Sequence, residues 1–437
     1  MKIAKLVLFL LTLSATLVAQ QPHSSVLCGY DLIKQQLERQ YPGFIEQTDK
    51  VFEEAKRRGQ ESQGSRSDVY TIPVVVHVVW KETEENLSDS IIQSQIDVLN
   101  EDFRRLNANA DDVRPIFEPV VGDPMIEFEL VATERVETTS EFSPSLFGLP
   151  DEVKRAADGG SDAWDTDSYL NIWVCHLQPL TFGGQAVGLI LGYAYPPADL
   201  PNWPDGVAAP SPELDGVVID YKSFGRSSSF DVMIPGSNQL MEFRGRTAVH
   251  EIGHYLGLRH IWGDGGGIFG GDSCEEDDGV TDTPNTGSQA NWGCDATRNT
   301  CIDPNDDLPD MIENYMDYAS ESCMSSFTEG QINIMRGVLE GPRCNLVENC
   351  NPTSVKDLAS EALALFPNPT RGEVFLQLGN RQLTDYQVQV RSLLGAVVPV
   401  EVATDNSQIN LSGLPTGIYW VELSNREERV VGKVLVR

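Results

Sequence analysis

The stretch from His250 to His260 contains the residue types that bind a catalytic metal ion. It reads HEIGHYLGLRH. On a helix, His250 and His254 lie one turn apart on the same face, so both imidazoles can bind one ion. Gly257 lets the helix end and the chain turn sharply, which brings His260 round as a third nitrogen ligand. The pattern predicts a zinc site in which water takes the fourth, open position.

Glu251 lies beside the first two ligands without being one itself. A carboxylate in this place can take a proton from the zinc-bound water and pass it to a leaving amine. The alternative is a chance match on an ordinary helix, and the added glycine and third histidine make such matches rarer by roughly a thousandfold. The other three of the six histidines, His23, His77 and His176, are expected to be ordinary surface or core residues.

The composition describes a long and strongly acidic chain. Its 437 residues, 41% of them hydrophobic, exceed one typical core and indicate two or three domains. The net charge of -33 repels nucleic acid and anionic membranes, so neither is expected as a partner. Residues 1–19 combine a positively charged start, a short apolar run and a small-residue cleavage site, which is typical of a secretory signal peptide. No other membrane-spanning segment is expected.

Five segments are predicted: a signal peptide (1–19), a helical propeptide (20–65), a catalytic domain (66–345), a linker (346–361) and a C-terminal domain (362–437). Residues 59–66 lack an apolar period and are interpreted as an exposed linker. Strands mixed with long helices favour an α/β (α+β) catalytic domain, and short strands between turn residues predict a small all-β sandwich at the C-terminus. Strands are predicted near 70–80, 125–132, 170–175, 216–221, 374–378, 386–392, 418–423 and 430–436, and helices near 88–103 and 247–258.

Eight cysteines in an exported chain indicate disulfide bonds. Cys175, in an apolar strand, is expected to be a buried free thiol. Cys28 lies ahead of the catalytic domain. Because a thiolate is a strong zinc ligand, Cys28 could occupy the water position and keep a zymogen inactive. The alternative is a free or disulfide-bonded Cys28 without this role.

Residues 314–318, Asn-Tyr-Met-Asp-Tyr, follow the histidine motif at a suitable distance for a methionine turn. The motif and such a turn together are the metzincin signature. Met316 would form the apolar floor beneath the zinc, and the alternative is an ordinary core methionine. Tyr318 could donate its hydroxyl to the oxyanion of a tetrahedral intermediate, with a purely structural tyrosine as an equal alternative.

Three blocks resemble the pappalysin family of metzincins, especially its bacterial branch. They are GRTAVHEIGHYLGLRHIWGD (245–264), DGVTDTP (278–284) and ENYMDYASESCMSSFTEGQINIMR (313–336), and the resemblance covers roughly 70–343. It implies a metzincin zincin fold, zinc-dependent hydrolysis of internal peptide bonds and Tyr318 as the oxyanion tyrosine. Relatives carry a Cys-Gly pair comparable to Cys28-Gly29, which favours the zymogen role.

The resemblance also implies a structural calcium ion. Hard oxygen ligands would come from Asp278, Asp282, Thr283 and the carbonyl of Thr281. The spacing is not that of an EF-hand loop, and a solvated acidic loop is the alternative. The family pattern further implies two crossed disulfide bonds, and the two cysteines left over are close enough in sequence to form a third: the pairs are Cys274–Cys301, Cys294–Cys323 and Cys344–Cys350.

Glu321 follows Met316 by five residues and is expected to line the pocket on the leaving-group side of the zinc. Its carboxylate would pair with a guanidinium, so peptides with arginine or lysine after the cut bond are the predicted substrates. Relatives that prefer arginine carry an aspartate at the matching position, and Glu321 keeps the charge but adds a methylene. The alternative is a surface glutamate beside Cys323.

The C-terminal domain resembles, over about 362–437, the sorting domain of the type IX secretion system of Bacteroidota. The matching motifs are FPNPTRGEV, LSGLPTGIYWVEL and VGKVLVR. The resemblance implies the secretion machinery as a partner and a secreted or cell-surface protein, and a carbohydrate- or protein-binding sandwich is the alternative.

Two other functions are possible alternatives for the whole chain. If the chain were a catalytically limited adhesin with a zincin fold, the base or one of the metal ligands should be missing, but Glu251 and all three histidines are present. The second alternative is a zinc amidase, which the blocks that resemble the pappalysin family disfavour.

Overall fold

The computed structural model describes residues 25–62, 68–197, 211–226, 230, 232–233, 240–263, 273–302, 307–347, 363–377, 383–392, 397–403, 407–424 and 429–437. The chain divides into two compact units, Met1–Cys350 and Asn351–Arg437. The predicted signal peptide, most of the predicted linker 346–361, His23 and Cys350 lie outside the described residues. Among the residues described, no helix has the length and apolar character needed to cross a membrane.

A seven-stranded mixed sheet forms the centre of the first unit, with the strand order β1-β6-β7-β4-β2-β3 and β5 paired to β6. Its strands are β1 (Ser25–Cys28), β2 (Tyr70–Trp80), β3 (Ile126–Glu137), β4 (Leu170–Cys175), β5 (Leu180–Phe182), β6 (Gln185–Ala194) and β7 (Val217–Asp220). β2 is a run of β-branched residues because it lies between two parallel neighbours and is covered on both faces. The predicted α/β class is confirmed, although β1, β5 and β6 were not predicted.

Helices cover both faces of this sheet. They are α1 (Tyr30–Gln40), α2 (Phe44–Ser62), α3 (Asp89–Asp102), α4 (Arg246–Tyr255) and α5 (Glu329–Leu339). Alternate residues of β2 and β4, such as Val76 and Ile172, belong to the main core with α3, α4 and α5. The opposite residues, such as Val79 and Trp173, pack with α1. The period-two alternation of the strands therefore separates one core from the other.

The interpretation of residues 59–66 as an exposed linker is wrong at its start. α2 continues to Ser62, and Gly59 is buried in it. A Cβ at Gly59 would collide with the backbone carbonyl of Asn333 in α5. The glycine is a packing residue here, because it lets the backbones of two helices approach each other. Residues 63–67 lie outside the described part of the chain.

The second unit consists of two four-stranded antiparallel sheets, ordered β11-β10-β14-β15 and β12-β13-β9-β8. Its strands are β8 (Ala364–Phe366), β9 (Glu373–Gln377), β10 (Gln387–Ser392), β11 (Val397–Val398), β12 (Glu401–Ala403), β13 (Gln408–Asn410), β14 (Gly417–Ser424) and β15 (Arg429–Val436). Val374 and Ile409 from one sheet share a core with Val390 and Val421 from the other. This confirms the predicted all-β domain.

The close contact between α2 and α5 at Gly59 predicts that a larger side chain there destabilises the protein. Gly59→Ala should lower the midpoint of thermal unfolding of the uncleaved protein, although alanine is the better helix former by about 1 kcal/mol. The added methyl has no room beside Asn333, and overpacking costs about 1–3 kcal/mol. Gln60→Ala, at the exposed neighbouring position, is the matched control and should change the midpoint little. A Gly59→Ala protein as stable as the wild type would contradict this account of the contact.

Candidate active site

The end of α4 places the three histidines of the motif around one point. His250 and His254 lie on the buried face of the helix, and all three imidazoles are almost fully buried. The helix ends at Tyr255, three residues earlier than predicted. Gly257 then adopts a φ of +91°, which side chains rarely tolerate, and the reversed chain brings back His260.

The ring nitrogens of these histidines converge. Nε2 of His254 lies 3.1 Å from Nε2 of His250 and 3.1 Å from Nε2 of His260. Nδ1 of His250 donates to the carbonyl of Tyr315 (2.7 Å), and Nδ1 of His254 donates to the carbonyl of Leu258 (2.8 Å). These bonds place the proton on Nδ1 in both neutral rings, so the Nε2 lone pairs point at each other. Such an arrangement is repulsive unless a cation lies between the nitrogens, and it suits a metal ion.

Glu251 is buried next to the histidine cluster. Its side chain is 1% exposed, and burial raises the pKa of the carboxyl to about 8. Burial also lowers the pKa of His250 to about 3, with a further contribution from His260, so that His250 is neutral and available as a ligand. A carboxyl group with a pKa raised towards neutrality can both accept and release a proton.

The predicted methionine turn lies against α4. The backbone N–H of Met316 donates to Oδ1 of Asn314 (2.9 Å), and the Met316 side chain is fully buried in the core that contains α4. Two residues later, the Tyr318 hydroxyl lies 3.2 Å from Nε2 of His260. Burial raises the pKa of Tyr318 well above its ordinary value, so the hydroxyl keeps its proton.

The N-terminal segment enters this site. Cys28 ends β1, which pairs in parallel with β6, and its Sγ lies within 4.8 Å of ligand nitrogens of all three histidines. Its thiol donates to Oε2 of Glu251 (3.3 Å), and its backbone N–H donates to the Tyr318 hydroxyl (2.7 Å). The ring of Tyr30 stacks on His254 with centroids 3.9 Å apart. Burial, and then Glu251, raises the pKa of the Cys28 thiol.

A cavity that is open to solvent lies beside Glu251 and His250, and Glu321 is part of its wall; the empty space there is about 350 Å³ with the adjoining solvent included. The Glu321 carboxylate is 1% exposed. It accepts hydrogen bonds from the backbone N–H groups of Arg244, Arg246 (3.1 Å) and Thr247 (2.7 Å), and from the Thr247 hydroxyl (2.7 Å). Glu321 therefore caps the first turn of α4, whose own N-cap residue, a glycine, provides no side-chain bond. The sequence alone did not predict this role.

The candidate calcium ligands Asp278 and Asp282 make different hydrogen bonds: Asp278 bonds within its own loop, and Asp282 bonds to the start of α5. The Asp278 carboxylate is 1% exposed and accepts from the Thr283 hydroxyl (2.8 Å) and the Val280 N–H (2.9 Å). Oδ2 of Asp282 accepts from the N–H of Gly330 at the start of α5 (2.8 Å), while its buried Oδ1 has no hydrogen-bond partner among the described residues. Burial raises the pKa of Asp278 well above its ordinary value. The Thr281 side chain is exposed.

The disulfide bonds of the loop region follow the crossed pattern. The structure joins Cys274 to Cys301 and Cys294 to Cys323. Cys344 is disulfide-bonded, and its expected partner Cys350 lies outside the described residues. Cys175 is a buried free thiol, as predicted. His77 is a core residue bonded to Ser161 and Asn171, and His176 contacts Glu85.

Both units of the chain match known proteins. Residues 233–340 match the peptidase family described as pregnancy-associated plasma protein-A, and residues 364–437 match the secretion system C-terminal sorting domain. An extracellular metalloprotease of Pyricularia oryzae is 30% identical over 285 residues, which cover 64% of this chain and 78% of the relative. Another, from Arthroderma benhamiae, is 28% identical over 268 residues, which cover 61% and 71%.

Two solved structures are similar as well. Mirolysin in complex with a compound has a TM-score of 0.53 and 39% identity, with 65% of this chain and 98% of that chain covered. A promirolysin variant of Tannerella forsythia has a TM-score of 0.58 and 35% identity, with 74% and 98% covered. The chain thus belongs to the pappalysin family of secreted metalloendopeptidases, and it carries a C-terminal sorting domain of the type IX secretion system.

Proposed function

We propose that His250, His254 and His260 hold a catalytic zinc ion and that Glu251 and Tyr318 perform the proton transfer and oxyanion stabilisation of peptide hydrolysis. The observation that carries this proposal is the convergence of the Nε2 atoms. Their 3.1 Å separations approach the roughly 3.3 Å expected between nitrogens that each lie about 2 Å from a tetrahedral zinc ion. Neutral imidazoles with Nδ1 bonded to carbonyls are also the donor set that zinc prefers.

The chain's own groups then have distinct tasks. When bound, zinc supplies Lewis acidity, which lowers the pKa of water and polarises a carbonyl. The Glu251 carboxylate takes the proton from the attacking water and delivers it to the leaving amine. The Tyr318 hydroxyl is positioned beside His260 to donate to the developing oxyanion.

Glu251→Gln tests the assignment of the base. The variant should lose about two to four orders of magnitude in kcat on casein or a fluorogenic peptide, because general-base catalysis is removed. Its zinc content, measured on the purified protein, should stay at the wild-type level, and Glu251→Ala should behave alike. His254→Ala is the control that should lose zinc and activity together. Near wild-type turnover in Glu251→Gln would reject this mechanism. If the wild type bound casein in the presence of a zinc chelator but cleaved none of it without the chelator, the adhesin alternative would be favoured.

We further propose that residues 20–65 are a propeptide and that Cys28 keeps the zymogen inactive. Three contacts of Cys28 support this proposal. Its Sγ lies within the histidine cluster, and its thiol donates a hydrogen bond to Glu251. Its backbone N–H donates a hydrogen bond to the Tyr318 hydroxyl. The thiolate would take the ligand position needed by water. On this proposal the catalytic domain begins at residue 66 and ends at residue 345, after which the linker 346–361 leads to the sorting domain 362–437.

Cys28→Ala should activate faster than the wild-type zymogen, because the fourth ligand is lost. The measurement is the rate at which peptidase activity appears in the purified, uncleaved protein. A second measurement is independent of activity: cobalt-substituted wild-type zymogen should show a thiolate-to-cobalt charge-transfer band that Cys28→Ala lacks. Cys175→Ala removes a buried thiol outside this cluster and should leave both properties unchanged. Equal latency in Cys28→Ala and wild type would refute the switch.

We also propose that the cavity beside Glu321 accepts arginine or lysine after the scissile bond. The support is a buried carboxylate in the wall of a cavity that adjoins His250 and Glu251. Because four donors from the start of α4 already occupy this carboxylate, it attracts a cation mainly through its charge. The longer side chain of glutamate, compared with the aspartate of arginine-preferring relatives, leaves less room in the pocket.

Peptides that differ only in Arg, Lys or Leu after the cut bond test the pocket. The wild type should cleave the Arg and Lys peptides with a kcat/KM at least about tenfold above that of the Leu peptide, which corresponds to about 1.4 kcal/mol. In Glu321→Gln this advantage should disappear while cleavage of the Leu peptide persists. An equal loss on all three peptides would show that Glu321 acts only as the cap of α4.

We also propose a structural calcium site in the loop that contains Asp278. A cation bound by Asp278, Asp282, Thr283 and the Thr281 carbonyl would offset the cost of burying the Asp278 carboxylate. It would also give a partner to Oδ1 of Asp282.

A further inference from the structure

Trp292, in the wall of the active-site cavity, has an unusual backbone conformation. Asn291 and Trp292 have φ angles of +50° and +62°, so two consecutive residues with side chains lie in the left-handed region. For a residue as bulky as tryptophan this conformation is an outlier that costs conformational energy. Such strain persists only where the surrounding structure enforces it, and it is concentrated at functional sites.

Several contacts fasten this strained turn to the segment that carries Tyr318. The N–H of Trp292 donates to the carbonyl of Tyr318 (2.6 Å), and the N–H of Ala290 donates to Oδ1 of Asp317 (3.0 Å). Two positions beyond Trp292, the bond between Cys294 and Cys323 links the same two segments covalently. The backbone of Trp292 therefore has a fixed position relative to the segment that carries Tyr318.

The indole side chain has one polar atom without a partner. Nε1 of Trp292 is buried, and no hydrogen-bond acceptor reaches it among the described residues. Buried donors are almost always paired in folded proteins, because an unpaired one forfeits its bond to water. The ring packs edge-to-face on Phe243, with centroids 5.9 Å apart, next to Leu191. The apolar surroundings thus orient the ring but provide no acceptor.

We propose that Nε1–H of Trp292 donates a hydrogen bond to the main-chain carbonyl oxygen of the residue that follows the scissile bond. Trp292 lines the same cavity as Glu251, His250 and Glu321. A peptide that binds in this cavity and reacts at Glu251 would therefore lie beside the indole. A peptide main chain offers this acceptor whatever the side chain, and the bond would hold the substrate in register. The inference rests on the catalytic assignment proposed above and makes Trp292 a binding residue.

Three peptides with the same sequence test this bond on the activated, metal-loaded enzyme. The peptides differ in the link between the first and second residues after the cut bond. In the first peptide this link is the natural amide, and in the second it is an ester, which keeps the carbonyl but lacks the N–H. In the third it is an (E)-alkene, which lacks both groups. Wild-type kcat/KM should fall about tenfold from the ester to the alkene. Trp292→Phe should fall about tenfold on the amide and ester peptides, with no further loss on the alkene, because mutation and isostere remove the same bond.

The controls separate this bond from other effects. Trp420→Phe, at a half-exposed tryptophan of the C-terminal unit, should match the wild type on all three peptides. No loss from ester to alkene in the wild type would overturn the proposal even if Trp292→Phe failed to fold. An equal loss in Trp292→Phe on all three peptides would also overturn it, since the indole would then act only as a wall or bind a buried water. Failure of the catalytic assignment would instead show as cleavage retained in Glu251→Gln.

Discussion

Three neutral imidazoles that direct their lone pairs at one point are the constraint on which the rest of the catalytic unit depends. This arrangement is unfavourable without a cation, so other contacts must hold the rings in place. The carbonyls of Tyr315 and Leu258 fix the tautomers and ring planes of His250 and His254. One of these carbonyls belongs to the methionine turn and the other to the loop after α4. The positions of the imidazole rings are therefore set by backbone carbonyls that only the folded chain supplies.

Buried charges fasten the methionine-turn segment to α4 and α3. The Arg246 guanidinium, 5% exposed, pairs with Asp102 of α3 and donates to the carbonyls of Glu321 (2.7 Å) and Met324 (2.5 Å). In return, the Glu321 carboxylate accepts from the first turn of α4, where the helix dipole favours negative charge. Removing one partner would strand a buried charge, so these residues keep the cavity wall and the helix in one fixed relation.

The sequence predicted the parts of the site that local periodicity determines, and it missed those that depend on distant contacts. The histidine cluster was predictable because helical spacing and one glycine turn fix the positions of all three histidines. Nothing near Glu321 in the sequence shows that it caps a helix that begins 75 residues earlier. The packing role of Gly59 was not predictable for the same reason: residues 59–66 lack an apolar period, and only the position of Asn333 shows that Gly59 lies in a helix contact. β6 was missed because its glycines and polar start lack a clear strand alternation.

The N-terminal segment contacts the catalytic unit in two ways, through directional contacts at the histidine cluster and through apolar packing of α2. Cys28 and Tyr30 reach the histidines and Glu251 through a few directional interactions. α2, by contrast, contributes Phe52 and Ala55 to the main core of the catalytic unit. Because apolar burial of this kind does not depend on the covalent link between α2 and β2, a cut between the proposed propeptide and the catalytic domain would not by itself remove the packing of α2 on α5. If Cys28 keeps the zymogen inactive, as proposed above, the lifetime of that packing would determine how long Cys28 stays near the histidines.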